Sequence, residues 1–304
     1  MIDAFIIQNE KITKTDFFEK NTSYFWIDLT GPTSDEIKTI ENLYGLILPL
    51  ENTNDGSIAN RFYQDNQTYF LTLLMSEEKN VLIIIKNKTF ITVHSGEYLL
   101  QVPQNPITNI TDLLSSFVSR SVQEIAQNLE IQESLVLQLS QTVNNCVKEE
   151  VRNRTCETLT KKTISIRINS ILTTVINHRR RLVNLKLITD FAAKHDFNIS
   201  ESTSERINVL IEHTDFMNNQ VSFLQSTLLS YVNISQYNIQ SKLTSFAAMF
   251  VLPTMIMSFF SLNFTNYSSL RPFLLMNYGL FFVLGVMFLG SYIIYRYTTN
   301  TQKA

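Results

Sequence analysis

Two long runs without a charged residue, close together near the C-terminal end, limit what this chain can fold into. Leu243 to Phe260 reads LTSFAAMFVLPTMIMSFF, and Phe273 to Tyr295 reads FLLMNYGLFFVLGVMFLGSYIIY. At roughly 1.5 Å rise per residue, about 18 helical residues span about 27 Å of bilayer hydrocarbon. Helices in soluble cores are usually shorter or more charged, so both runs are read as membrane-spanning helices. The linker SLNFTNYSSLRP is short and polar, which makes the pair a hairpin. Pro253 removes one hydrogen bond from the first helix, a loss that membrane helices tolerate when neighbours satisfy the freed carbonyl. Lys242 flanks one end of the hairpin, Arg296 and Lys303 flank the other, and Arg271 is the only charge in the turn. The positive-inside rule then puts both chain ends in the cytosol and the turn outside. The N-terminal MIDAFIIQNEKITKTDFF has no basic stretch followed by an unbroken apolar one, so no cleaved signal peptide is expected.

The residues before the hairpin are ordinary polar globular sequence. A net charge of −2 over 304 residues gives no basic field for nucleic acid. Cys146 and Cys156 are the only cysteines; such sparse use suits a reducing cytosol, and no His or Cys lies at ligand spacing around them. Residues 1–105 form a cytosolic α/β domain. YFWIDLTG, YFLTLLM, NVLIIIK and FITVH are its strands, and SDEIKTIENLYG is a helix opened by Ser34 and Asp35 and closed by Gly45. Residues 106–203 form a cytosolic helical region. One helix carries Ile125, Leu129, Val136, Leu139 and Val143; another carries Ile164, Ile168, Ile171, Val175 and Leu182.

Residues 204–304 hold the hairpin and what precedes it. No Pro or Gly interrupts Ser204 to Leu252, and Leu210, Met217, Val221, Leu224, Leu228 and Tyr231 follow a three-four spacing. A single helix from Ser204 to Phe260 is roughly 85 Å long and makes a mechanical stalk entering the membrane. Two helices with a break near Asn233 are the alternative.

The stretch Ser222 to Phe264, SFLQSTLLSYVNISQYNIQSKLTSFAAMFVLPTMIMSFFSLNF, resembles the CorA family of divalent-cation channels and transporters. Asn238, the Leu243-Thr244 pair and Pro253 match the family's stalk and first membrane helix. Ser261-Leu262-Asn263 stands where the family has Gly-Met-Asn, with Phe264 following. Phe25 to Leu29 looks like the family's first strand, and TFITVH like its strand ending in Thr-Val-His or Thr-Val-Arg.

The resemblance implies a funnel-shaped homopentamer in the inner membrane that passes divalent cations, Mg2+ first. It implies a selectivity site at the outer mouth, Ser261, Leu262 and Asn263, with a ring of Asn263 amide oxygens holding a hydrated ion. Neutral oxygens suit Mg2+, which gives up its water reluctantly, and they let it leave again. The pore face implied on the first helix is Asn238, Ser241, Thr244 or Ser245, Ala248, Leu252, Met255 and Phe259. Asn238 is then a polar inner constriction, and Leu252 and Met255 a barrier that gates by drying. Without the resemblance the same stripe is helix-packing surface, and Asn263 a residue that closes a helix.

The sequence departs from the family at three places. The outer turn TNYSSLRP has no acidic residue, Thr227 stands where the stalk often carries an Asp, and YRYTTNTQKA lacks the usual basic cluster and closing Trp-Leu. Arg179 to Arg181 reads as a solvated basic face. The four histidines give no i, i+4 ligand pair, no Gly-rich phosphate loop exists, and no catalytic triad can be assembled. No enzyme and no cofactor are expected; the divalent cation is cargo. Transport of Zn2+, Co2+ or Ni2+ by the same fold is one alternative. A membrane-anchored scaffold or sensor that does not conduct is another.

Overall fold

The computed structural model describes residues 1–8, 11–15, 24–49, 62–65, 67–75, 80–94, 107–151, 158–197 and 199–261, with single positions from 285 to 296. Seven strands form one sheet: β1 (Ile2–Gln8), β2 (Lys11–Thr15), β3 (Trp26–Thr30), β4 (Phe62–Asp65), β5 (Thr68–Leu74), β6 (Asn80–Lys86) and β7 (Thr89–His94). The helices are α1 (Ser34–Tyr44), α2 (Ile110–Val151), α3 (Thr158–Lys194) and α4 (Glu201–Ser261). Strand order is β2-β1-β3-β7-β6-β5-β4, and only β3–β7 is a parallel pair. The strands expected from YFWIDLTG, YFLTLLM, NVLIIIK and FITVH are β3, β5, β6 and β7.

Local chemistry sets the boundaries. Thr33 caps α1: its hydroxyl accepts from the Glu36 N–H while the Glu36 carboxylate accepts from the Thr33 N–H, a reciprocal capping box. Gly45 ends α1 at φ 58°, ψ 48°, a left-handed cap that costs glycine little. Asn87 and Lys88 join β6 to β7 with φ 49° and 65°, the paired positive angles that match hairpin twist.

The sheet buries both faces. Ile27, Leu29, Ile84, Ile91 and Val93 pack with Ile40 of α1. On the other face Phe5 stacks on Trp26, and Phe117 of α2 meets Trp26 edge-on and Phe90 in parallel, with centroids 5.6 and 5.7 Å away. That face also carries a buried polar chain. Trp26 Nε1 donates to the Thr92 hydroxyl (2.9 Å), which donates to Asp28, and His94 Nε2 lies 3.2 Å from Asp28 Oδ1. The β3–β7 register opposes Asp28 to Thr92 and Thr30 to His94, so the cluster follows from strand pairing.

The chain divides into two compact units, Met1–Gln225 and Ser226–Ala304. Helix α4 is continuous through Asn233, so the two-helix alternative does not occur. It includes the first expected span, Leu243 to Phe260, although several side chains there lie outside the described residues. The second expected span also lies outside them, apart from single helical positions. Among the described residues no helix is long and apolar enough to cross a membrane.

Candidate functional site

The expected pore-lining residues all belong to α4. At about 100° per residue, Asn238, Ser241, Thr244, Ser245, Ala248, Leu252, Met255 and Phe259 share an arc of roughly 120°. Asn238 and Thr244 are exposed, Ser241 is half-buried, Ser245 is buried, and Met255 is 73% exposed. The side chains of Ala248, Leu252 and Phe259 lie outside the described residues. So do the side chain of Ser261, where α4 ends, and the whole of Leu262 and Asn263.

Helix α4 runs on through Pro253, and Thr254 directs its hydroxyl to the carbonyls of Phe250 and Val251, both at 2.9 Å. Such back-bonding beside a proline loosens the helix ladder locally.

Of the residues at three-four spacing, Met217, Val221, Leu224 and Leu228 are buried within the chain. A different set remains uncovered. Val209, Phe216 and Phe223 recur every seven residues and are exposed, Phe223 at 70%. Ile234, Tyr237, Leu243, Phe246, Phe250 and Val251 are exposed farther along α4, as are Phe288, Leu289, Tyr292 and Ile293 of the second expected span.

Arg179 and Arg180 are exposed, as a solvated face requires, but Arg181 is not. Arg179 holds Asp215 of α4 through two hydrogen bonds, and Arg181 is buried with Nη2 at 3.2 Å from Glu124 of α2. His213 of α4 lies 3.6 Å from Glu133 of α2, so one pair links each two of the three helices. Residues two apart on a helix point roughly 200° apart, a signal that Arg179 and Arg181 serve different partners.

Carboxylates near the expected regulatory region are dispersed. Glu201, Glu205 and Glu212 are exposed, Asp215 is committed to Arg179, and the side chains of Glu149 and Glu150 lie outside the described residues. Among the described residues no group of three or more His, Cys, Asp or Glu is placed to hold a metal ion. Cys146 is disulfide-bonded, which differs from the reduced thiols that sparse cytosolic cysteines suggest.

Comparison with known proteins places these features in context. The family model described as CorA-like Mg2+ transporter protein matches residues 21–297. A magnesium transport protein CorA of Wolinella succinogenes is 23% identical over 287 residues, covering 85% of this chain and 86% of its own. One of Mannheimia succiniciproducens is 23% identical over 319 residues, covering 98% of each chain. A solved structure of the CorA magnesium transporter from Methanocaldococcus jannaschii superposes with a TM-score of 0.58 at 20% identity, covering 97% of this chain and 95% of that one. That likeness shows a shared fold.

Proposed function

The chain belongs to the CorA-like Mg2+ transporter protein family, and on that premise we propose that it passes divalent cations, Mg2+ first, through a homopentameric membrane pore. One observation carries the reading. The family match takes in α4, the expected hairpin and the linker holding Asn263, which are the parts a conduit needs. Coverage of nearly the whole of a relative named as a magnesium transport protein supports it.

The α4 face then lines the pore. Asn238 supplies an amide oxygen at the inner end, and Thr244, exposed where Ser245 is buried, supplies the next hydroxyl. Met255, with Leu252, forms the barrier that dries when closed. Ser261, Leu262 and Asn263 form the outer mouth, where five Asn263 side chains hold the hydrated ion. The protein acts as a passive conduit in the inner membrane, with no catalytic step and no resident cofactor.

Ser261-Leu262 in place of Gly-Met, with Arg271 in a turn without carboxylates, favours a second reading: a non-conducting scaffold or sensor. Metal uptake into liposomes holding the pure protein decides between them. The conduit admits Mg2+, Zn2+ or Co2+ above protein-free liposomes; uptake of none supports the scaffold.

Assembly follows from exposed surface. Val209, Phe216 and Phe223 stand exposed at seven-residue spacing on α4, a row that a second copy of the chain can cover. Five chain masses are expected in mild detergent, and Phe223→Glu should shift the population toward monomer. A monomeric wild type removes both pore and seam. Orientation is tested separately: protease added outside intact cells should leave residues 1–240 untouched and reach only the SLNFTNYSSLRP turn. Digestion of the N-terminal unit from outside reverses the topology.

A further inference from the structure

The packing of α2 against α3 contains an irregularity that the transport reading does not use. Around it Ile125, Leu129, Val175 and Leu182 are almost completely buried. Among them lie Ser121, His178 and Arg181, exposed by only 3, 8 and 7%. Among the described residues, Ser121 Oγ, His178 Nδ1 and Arg181 Nε are buried with no hydrogen-bond partner. Buried polar atoms normally find partners, so three such atoms in one helix seam mark a place where closure is held against a cost. Arg181 is tethered only at its outer end, by Nη2 to Glu124, whose side chain is 40% exposed.

We propose that this seam is a proton-operated latch, in which a second proton on His178 opens the α2–α3 contact around Glu124 and Arg181. A neutral imidazole fits the closed seam at the cost of one unpaired nitrogen. An imidazolium there needs an acceptor on Nδ1, finds none, and adds a second cation beside the Arg181 guanidinium. The carboxylate within electrostatic reach, Glu124 of α2, is already bonded by Arg181. On α4, Asp215 is satisfied by Arg179; β5 meets α3 at Asn184 through backbone atoms of Thr72 and Leu74. The proton is therefore accommodated only where water reaches the ring, in the opened seam.

Burial first, and then Arg181, holds the His178 imidazole below its ordinary value, with Glu124 pulling the other way. The sign follows by linkage. A histidine whose folded value is depressed contributes its full stability above about pH 6.5. That contribution is lost as pH falls from there toward the folded value. The other described histidine–carboxylate pairs lie elsewhere: His213 with Glu133 joins α4 to α2, and His94 with Asp28 joins β7 to β3. Acid loosening confined to the α2–α3 seam thus points to His178. The inference concerns the helices of the N-terminal unit and stands whether or not the protein conducts.

Hydrogen exchange followed by mass spectrometry tests it, on the full chain in detergent at pH 7.5 and 5.5, with rates corrected for intrinsic pH dependence. Peptides around residues 118–128 and 174–185 should show a larger opening population at pH 5.5, by up to about tenfold, the limit for one proton over one pH unit below about 6.5. His178→Gln should reduce that change below twofold, and His178→Asn serves where the first variant does not fold. His213→Gln, which lies outside the α2–α3 seam, should leave the acid response intact. Equal protection of the wild-type seam at both pH values overturns the latch. So does an acid response that persists in either His178 variant.

Discussion

Replacing Asn263 with alanine is expected to lower divalent-cation uptake at least tenfold while the protein still folds and assembles. The variant removes the only side-chain amide left in the outer-mouth signature Ser261-Leu262-Asn263. Each lost hydrogen bond to a charged or hydrated-ion partner is worth on the order of 1.5–3 kcal/mol. A ring of several copies loses several bonds at once, whereas about 1.4 kcal/mol already corresponds to tenfold. Folding is spared because the position lies in the polar run SLNFTNYSSLRP and not among packed apolar residues of the sequence. Asn263→Asp should behave differently: a carboxylate ring holds the ion more tightly and slows its release. Liposome uptake measured beside oligomer mass separates the outcomes. Wild-type conduction by Asn263→Ala shows that the ring is not the filter and strengthens the scaffold reading. Failure to assemble shows that the residue closes a helix.

The elements legible in the sequence are those whose pattern has one explanation. NVLIIIK and TFITVH are short, β-branched and bounded by turn residues, and they are the hairpin β6–β7. IDAFIIQ has the same character, yet it is not among the strands read from the sequence. Its place as β1, between β2 and β3, depends on nonlocal pairing that composition does not report. In α1 the helical spacing is visible, but the cap is Thr33 rather than Ser34, because only Thr33 exchanges bonds with Glu36. Asn233 does not break α4; an asparagine costs a helix interior well under 1 kcal/mol, far less than a proline. Both sides of α4 carry apolar residues. Spacing therefore finds Met217 and Val221 as readily as Phe216 and Phe223, without telling which pair the chain itself covers. Partners are least legible: that Arg181 meets Glu124 and Arg179 meets Asp215 depends on the register of helices far apart in sequence. Asn238, Ser241 and Thr244 share one side of α4 because a single continuous helix carries them.

Asn184→Ala should be among the most destabilising single changes in the N-terminal unit. Pairing between β4 and β5 ends at Phe62 and Leu71, and among the described residues no strand lies beside the next polar backbone groups of β5 on that edge. Asn184 of α3 takes the strand's place. Its Nδ2 donates to the Thr72 carbonyl at 2.9 Å, its Oδ1 accepts from the Leu74 N–H at 3.0 Å, and the side chain is buried. Truncation strands a buried donor and a buried acceptor, each worth roughly 1–3 kcal/mol, so the expected loss is about 2–5 kcal/mol. Lys186→Ala, on the exposed side of the same helix, should change stability by no more than about 0.5 kcal/mol. Asn184→Asp gives the sharper test. Its carboxylate still accepts from Leu74 but turns its second oxygen toward the Thr72 carbonyl, where a donor is needed. Protonating the carboxyl restores that donor, so the folded state raises the group's affinity for a proton. Stability contributed by such a group is present at low pH and lost as pH rises. The gap in melting temperature between Asn184→Asp and the wild type should therefore narrow from pH 7.5 to pH 5. A gap that does not change with pH would mean that Asn184 acts by filling space rather than by closing the open edge of β5.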